Sequence, residues 1–246
     1  MRKNSMFQIV RSFFIVLSTL LLVSILTSGC SSKSKYNRAG FDPEKICSNT
    51  ENTFECARAV EKALVDIYPD IAARDNNVLY LKLINGKTVV LSDTTSNTGE
   101  EESVRYFSLI DYLEKEKIFL LEEQWWEGGT YQLIDRRTGV MTEVMGPPVF
   151  SPKRDYFVTE FGDIESGYAA NGLEIWTLSD KDELLKVFEL YPDDWAPDSI
   201  RWISDNSLEV KRFVYDDEGV KSIPAILINR TGAKWAIDTK TPQSAN

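Results

Sequence analysis

The sequence predicts a mainly β protein, an antiparallel meander of four-stranded units preceded by one N-terminal helix that a disulfide staples. From Val78 onward, short runs rich in β-branched and aromatic residues alternate with turn residues. A helical spacing of apolar residues is confined to a short segment before them. Two segment patterns also recur along the β-rich part. We therefore expect residues 46–70 to hold the stapled helix and residues 77–240 to form the β-rich domain.

The first thirty residues have the order of a secretory signal. Three basic residues precede an uncharged run, Phe13–Leu26, and small residues follow it. The run is shorter than the roughly 20 residues that span a membrane. The segment Leu26–Cys30, LTSGC, resembles the lipobox of bacterial lipoproteins. The resemblance implies removal of residues 1–29 and acylation of Cys30, palmitate included. An ordinary secretory leader with an incidental cysteine is the alternative.

Residues 30–45 follow as the lipidated N-terminus and a flexible, polar tether. Ser31 stands where lipoproteins that stay in the inner membrane commonly carry Asp. The resemblance thus implies attachment to the outer membrane, with the protein facing the periplasm. Cleavage removes three basic and no acidic residues, so the net charge changes from −10 to −13.

Cys47 and Cys56 are expected to form a disulfide. An exported chain meets an oxidising compartment, where disulfides persist. With Cys30 acylated, the remaining count of cysteines is even and only this intramolecular pair is left. The alternative, a reactive thiol pair, lacks the CxxC spacing.

The helix is predicted to begin at Asn52 and to end before Pro69. Asn52 with Glu55 three residues later forms a capping-box pattern, and proline cannot continue a helix. Charged residues, Arg58, Glu61, Lys62 and Asp66, are expected to lie mostly on the other faces of the helix. The apolar face comprises Cys56, Val60, Ala63, Leu64 and Ile67. We expect it to lie on the β-rich domain, because an isolated helix of this length is marginal in water.

Asn85-Gly86, between the runs Val78–Ile84 and Lys87–Leu91, is a strong hairpin signal. Twelve further runs are predicted to be strands: Val104–Leu113, Lys117–Trp126, Thr130–Asp135, Val140–Met145, Val149–Ser151, Asp155–Phe161, Leu173–Leu178, Leu184–Leu190, Ile200–Ile203, Ser207–Tyr215, Ser222–Ile228 and Ala233–Ile237.

Two patterns repeat among these runs. Phe150–Val158 aligns with Trp202–Val210, and Leu133–Gly139 aligns with Ile228–Gly232, with Leu173–Asp182 between them. The segments resemble the WSPDG turn and the LIDxxTG strand end of β-propeller blades. The resemblance implies a small or incomplete propeller of blade-like units. An open sheet or a sandwich is the alternative.

In an up-and-down chain, successive loops lie at alternate ends of the sheets. One set of loops then holds thirteen acidic residues, Asp93 among them, and no basic residue, whereas the other holds six acidic and seven basic residues. The first set also has the longer loops and several aromatic residues, with Trp126 beside it and Tyr191 within it. Long loops on a rigid scaffold commonly carry binding residues. The candidate binding residues are Asp163, Glu165, Tyr168, Asp193, Asp194, Trp195, Asp216 and Asp217. Solubilising turn residues are the alternative interpretation.

Composition excludes several kinds of chemistry. The chain has no histidine, so it has no Ser-His-Asp triad, no Cys-His pair and no His-ligated zinc. Its acidic balance argues against binding to nucleic acid. Nucleotide-binding, nucleophile-elbow and EF-hand motifs are absent from the sequence. We therefore expect no cofactor, no metal site and no catalysis.

The sequence thus predicts a lipid-anchored, non-enzymatic interaction module of the periplasm. It would bind an envelope protein, a basic one in particular, through an acidic loop face that bears aromatic residues. Two alternatives remain. One is an inhibitor or immunity lipoprotein that neutralises a basic envelope-attacking enzyme. The other is a carbohydrate-acting enzyme that uses two carboxylates.

Overall fold

A computed structural model describes residues 41–94, 104–126, 128–165, 170–178 and 183–238. Its elements in chain order are α1 (Pro43–Cys47), α2 (Thr53–Ile67), β1 (Ala72–Asp75), β2 (Val78–Lys82), β3 (Thr88–Ser92), β4 (Tyr106–Leu113), β5 (Ile118–Trp125), β6 (Gly128–Asp135), β7 (Met141–Val144), β8 (Val149–Phe150), β9 (Tyr156–Phe161), β10 (Gly172–Leu178), β11 (Leu184–Leu190), β12 (Ala196–Ser204), β13 (Ser207–Asp216), β14 (Gly219–Thr231) and β15 (Lys234–Ile237). Neither helix has the length and apolar character that a membrane crossing requires in these ranges.

Helix α2 begins and ends where the sequence predicts. The Asn52 side chain accepts a hydrogen bond of 2.9 Å from the Glu55 amide, and the Glu55 carboxylate accepts one of 3.0 Å from the Glu51 amide. Together they satisfy amide groups that the first turn leaves open. A disulfide joins Cys47, at the end of α1, to Cys56 in the first turns of α2. The predicted stapled helix is therefore confirmed.

The described residues begin at Phe41, inside the range 30–45 that the sequence predicts to contain a tether. Phe41 is buried, and the short helix α1 follows it. The Asp42 side chain caps α1 by accepting from the Lys45 amide at 3.3 Å. Pro43 occupies the first helical turn, where its missing N–H costs nothing. Cys30 lies outside the described residues.

The strands form four antiparallel meanders in chain order. We name them sheet A (β1–β3), sheet B (β4–β7), sheet C (β8–β11) and sheet D (β12–β15). Sheets B, C and D have four strands each, whereas sheet A has three, and its first strand is one that the sequence did not predict. The predicted series of blade-like units is therefore confirmed.

The repeated segments occupy equivalent places in these sheets. Phe150–Val158 and Trp202–Val210 span the first hairpins of sheets C and D. Leu133–Gly139, the first residues of Leu173–Asp182 and Ile228–Gly232 belong to the third strands of sheets B, C and D or to the turns after them. The repeated sequence segments thus correspond to repeats of the four-stranded unit.

Sheet C buries both of its faces. Phe157 and Trp176 pack toward sheet B, whereas their neighbours Val158 and Ile175 pack toward sheet D. Adjacent residues of a strand point to opposite faces, so one strand serves two cores. The facing residues of sheet B are Ile118, Leu120, Leu133 and Val144, and those of sheet D are Leu208, Val210, Ile228 and Trp235. Sheets B, C and D therefore stack face to face.

Helix α2 covers the other face of sheet B. Phe119 of β5 packs against Tyr112 of β4 with ring centroids 5.0 Å apart. Tyr112 meets Tyr68, just after α2, at 5.3 Å in an edge-on arrangement. Val60 and Leu64 of α2 are buried, as predicted, but Ile67 is exposed. The helix is a fixed part of the core and not a separate module.

Glu61 corrects the prediction at one position of α2, because this residue is only 3% exposed. The Arg74 guanidinium donates to both of its carboxylate oxygens at 2.7 Å, and the Leu109 amide donates to it at 2.9 Å. Arg74 and Arg58 both pair with Asp93 as well. Asp93, which the sequence placed among the acidic loop residues, is therefore a buried member of this cluster. The cluster joins α2 to sheets A and B.

The loops alternate between two ends of the sheets. Among the described residues, the long-loop end carries 93–94, 104–105, 126, 145–148, 162–165, 170–171, 191–195 and 217–218. The short-turn end carries 83–87, 114–117, 136–140, 151–155, 183, 205–206 and 232–233. Hydrogen bonds join consecutive sheets at the short-turn end: Arg136 Nε to Lys82 O at 2.9 Å, Arg154 Nε to Glu116 Oε1 at 2.6 Å and Lys153 N to Asp205 Oδ1 at 2.7 Å.

Candidate functional site

Several of the acidic residues that the sequence predicts for the long-loop end lie there among the described residues. The Asn171 side chain donates to the carbonyls of Pro192 and Trp195 at 2.7 and 2.8 Å, which ties the loop after β9 to the loop after β11. Glu165 accepts a hydrogen bond from Tyr215 of β13 and thereby raises the pKa of that phenol. Asp163 is partly buried. Exposed carboxylates at this end include Glu165, Asp193, Asp194, Asp216 and Asp217.

Trp195 corrects the predicted set, because it is only 8% exposed. Its ring enters the core between sheets C and D, with Val158 and Leu208 in the same cluster. The Arg212 guanidinium lies 4.9 Å from the ring centroid and covers its remaining side. The residue anchors the start of β12 and presents no free aromatic surface. Tyr168 lies outside the described residues.

An aromatic groove of about 840 Å³ opens at the same end. Its walls come from the start of α2 and from the ends of β4, β5, β6 and β9. Trp126, which the sequence places at a strand tip beside the acidic loops, is 69% exposed here. The aromatic residues of the lining are Phe54, Tyr106, Trp125, Trp126, Tyr131 and Phe161. The sequence prediction missed the groove because Phe54 is on the helix, far from the others along the chain.

Two glycines, Gly128 and Gly129, line the groove. Gly128 and Gly129 start β6 opposite Trp125 and Gln124. A Cβ on Gly128 would lie 3.1 Å from the Trp125 indole nitrogen, and one on Gly129 would lie 3.0 Å from the Glu123 carbonyl oxygen. Side chains at these positions would therefore displace the indole or the strand. The glycines allow β6 to pass close to the ring of Trp125.

The groove continues toward sheet C. A second cavity of about 420 Å³ shares Trp125, Gly129 and Phe161 with it and reaches Glu174 and Tyr191. The Tyr191 hydroxyl donates to Glu174 at 2.5 Å, and burial together with this hydrogen bond raises the pKa of Tyr191 to about 12. Glu174 also pairs with the Lys186 ammonium at 2.9 Å. The buried carboxylate of this branch, Glu174, thus already has a cation from the chain itself.

Glu122 and Gln124 supply the polar groups of the main groove. They lie on the same face of β5 as Ile118 and Leu120, where the strand alternation predicts burial. Gln124 Nε2 donates to Glu122 Oε1 at 3.2 Å. Burial raises the pKa of Glu122, and the hydrogen bond from Gln124 opposes that change. Burial, followed by the nearby Glu122 charge, raises the pKa of Tyr131 to about 12.

The described residues contain no group of three or more cysteine, aspartate or glutamate side chains that is placed to hold a metal ion. The hydrogen-bonding groups of the groove include the acceptors Glu122 and Gln124 and the phenols of Tyr106 and Tyr131. The arrangement suits a ligand that donates hydrogen bonds and offers an apolar surface to the rings.

No protein-family model matches the sequence, and no curated protein matches it. Among solved structures, the chain is similar to a candidate 6-phosphogluconolactonase from Bacteroides fragilis, with 10% identity over 68% of this chain and 72% of that one, and a TM-score of 0.29. A candidate 6-phosphogluconolactonase from Bacteroides uniformis has 7% identity over 68% and 73%, and a TM-score of 0.28. Because these values are low, the function has to be argued from the chain's own geometry.

Proposed function

We propose that this protein is a lipid-anchored, non-enzymatic binding module of the cell envelope, and that it binds a basic protein partner at its long-loop end. The observation that carries the proposal is the shared location of the exposed carboxylates and the aromatic groove at one end of the sheet stack. The anchor rests on the resemblance of Leu26–Cys30 to a lipobox. Attachment through acyl chains would keep the module at the membrane surface while the folded part remains available.

The charge of the long-loop end supports a basic partner. Asp193, Asp216 and Asp217 are exposed, and no lysine or arginine forms a salt bridge with them among the described residues. Uncompensated charges of one sign attract an oppositely charged surface and raise the association rate, and salt screens the attraction. The exposed ring of Trp126 adds the kind of aromatic anchor that dominates many interfaces.

The acidic end is tested by neutralising two of its carboxylates, in D193N/D194N. Immobilised full chain is incubated with envelope extract, and the retained basic proteins are quantified. We expect the variant to retain at least about fivefold less than wild type, and the loss to shrink at high salt, because the attraction is electrostatic. D70N/D155N removes the same charge from exposed residues at or near the opposite end and should retain nearly the wild-type amount. Equal retention by all three proteins contradicts the proposal.

The lipid anchor is tested by metabolic labelling with palmitate in cells that express the full chain. We expect Cys30→Ala to abolish the label, since the lipobox resemblance places the acylated cysteine there. Cys47→Ala, which removes a cysteine held in the disulfide, should keep the label. A label that persists in Cys30→Ala would refute the anchor and leave the binding surface untouched.

A further inference from the structure

The aromatic groove contains a carboxylate, that of Glu122, with which no cation forms a salt bridge in the part of the chain that the structure describes. We propose that Glu122 binds the charged group of a lysine or arginine side chain from the basic protein partner, whose apolar stem lies against the rings of the groove. The inference rests on the proposed function and deepens it, because it names the group of the partner that the site recognises.

The other buried glutamates show why Glu122 is unusual. Glu61 pairs with Arg74 at 2.7 Å, Glu116 with Arg154 at 2.6 Å and Glu174 with Lys186 at 2.9 Å. Each glutamate that is buried among the described residues therefore has a cation from the chain, as the cost of desolvating a charge requires. Half-buried Glu122 has the Gln124 amide as its hydrogen-bond donor and no salt bridge within the described ranges. A cation from a ligand would complete it.

Gln124 provides a second acceptor beside the carboxylate. Its side chain is 9% exposed and lines the groove. Its amide nitrogen is used by Glu122, while its amide oxygen is buried and has no hydrogen-bond partner. A buried polar group without a partner costs free energy that a bound donor would recover. An ammonium carries three N–H donors and a guanidinium five, so either could serve both acceptors.

The walls of the groove suit the rest of a basic side chain. Phe54 and Tyr106 lie with ring centroids 4.6 Å apart, and Trp126 is largely exposed. Aromatic faces attract cations, and the stems of lysine and arginine pack on apolar surface. The chain itself uses this preference, since the Arg105 guanidinium lies 4.8 Å from the Trp125 ring centroid. Arg105 pairs with Glu123 at 3.6 Å and so does not neutralise Glu122.

The proposal is tested by titrating the full chain, in detergent micelles, with the peptide acetyl-Gly-Gly-Arg-Gly-Gly-amide and with analogues that carry lysine or citrulline in place of arginine. Citrulline has nearly the shape of arginine without its charge. We expect the arginine and lysine peptides to bind about tenfold more tightly than the citrulline peptide, a ratio that corresponds to about 1.4 kcal/mol. Glu122→Gln should remove that preference and leave the affinity for the citrulline peptide unchanged.

Two controls separate the pocket from general electrostatics and from misfolding. Asp70→Asn removes one charge at an exposed position remote from the groove and should keep the tenfold preference. Trp126→Ala should weaken all three peptides because it removes a wall, and the charged peptides somewhat more because the ring also attracts cations. The preference for the charged peptides should be reduced but retained, because Glu122 is still present. The thermal unfolding midpoint of each variant is measured alongside, and full occupancy of the native state is required before affinities are compared.

Several outcomes would overturn the inference: absence of binding by all peptides, equal affinities for arginine and citrulline, or an unaltered preference in Glu122→Gln. Tight binding of a peptidoglycan disaccharide that displaces the arginine peptide would assign the groove to a glycan instead. The proposed function is judged separately by D193N/D194N. If D193N/D194N loses basic proteins from the envelope extract while Glu122→Gln retains them fully, the proposed function is supported and the role of Glu122 is refuted.

Discussion

The two ends of the sheet stack use their charged residues differently. At the short-turn end, Arg154 and Glu116 join sheet B to sheet C, and Lys153 and Asp205 join sheet C to sheet D. At the long-loop end, exposed aspartates have no salt bridge in the described part of the chain, and a half-buried glutamate lacks a cation. Charges that are paired inside the molecule hold it together. Charges that are left unpaired are available to a partner.

The largest expected effect separates two tryptophans that both lie near the long-loop end. Trp195→Ala should lower the free energy of unfolding by about 3–5 kcal/mol, because it leaves a cavity between sheets C and D. Trp126→Ala should change it by less than about 0.5 kcal/mol, since that ring is exposed. Urea denaturation measures both. Similar losses in the two variants would mean that Trp126 is a structural residue and that its exposure has no bearing on binding.

A smaller loss in the free energy of unfolding is expected when the ion pair between sheets B and C at the short-turn end is removed. Arg154→Met removes the partner of buried Glu116 and the guanidinium that lies 3.8 Å from the Phe150 ring centroid. We expect a loss of about 2–3 kcal/mol, below the usual range for a buried pair because Arg154 is partly exposed. Adding Glu116→Gln should restore part of it, since the unpaired charge is then gone.

The matched control for Arg154→Met is Arg201→Met. Arg201 pairs with Glu209 across two strands, but its side chain is 68% exposed, so the loss should stay below about 1 kcal/mol. Thermal unfolding of the three variants gives the ranking. If Arg154→Met costs no more than Arg201→Met, the bonds between sheets at the short-turn end do not hold the stack.

The smallest effect is a pH dependence at Glu122. Burial raises its pKa above the ordinary value of 4.5, so the native state binds this proton more tightly than the unfolded chain does. The contribution of Glu122 to stability therefore falls as pH rises from below 4.5 through the raised pKa. Glu122→Gln lacks this titration, and its unfolding midpoint should exceed that of wild type by about 1–2 °C at neutral pH.

The difference between the two unfolding midpoints is measured from pH 3.5 to pH 8, where the other carboxylates titrate equally in both proteins. If the difference in midpoint does not change with pH, the charge of Glu122 has no cost in the free protein, and the carboxylate does not need a cation from a ligand. If Glu122→Gln is more stable than wild type but binds basic peptides less well, the Glu122 carboxylate serves binding and lowers the stability of the free protein.

Local signals account for the parts of the fold that the sequence predicts. Asn52, Glu55 and Pro69 define α2 through capping and chain stereochemistry, and Asn85-Gly86 defines the first predicted hairpin. The alternation of loops follows from antiparallel pairing alone, so the acidic loops could be grouped before their contacts were known. Each of these inferences depends on residues that are close together along the chain.

Glu61, Asp93 and Trp195 could not be placed in this way. Their burial depends on Arg74 and on the packing of one sheet against the next, which are long-range contacts. The groove has the same origin, because Phe54 meets Tyr106 across the helix–sheet boundary. The alternation in β5 does carry a usable signal, since it places Glu122 on the face of Leu120. When the alternation along a strand places an acidic residue on the buried face, and no basic residue lies near it on that face, the acidic residue is a candidate binding group.

The stacking of sheets in chain order has a consequence for how the protein folds. Each sheet closes within a short stretch of chain through hairpins, and the two apolar clusters join consecutive sheets, B to C and C to D. Contacts between residues close in sequence favour rapid folding, because little loop entropy is lost before they form. During synthesis the sheets emerge in chain order, so we expect α2 and sheets A and B to pack before sheet D is complete. An early stop in synthesis would leave a shorter stack with one uncovered apolar face, a form prone to aggregation.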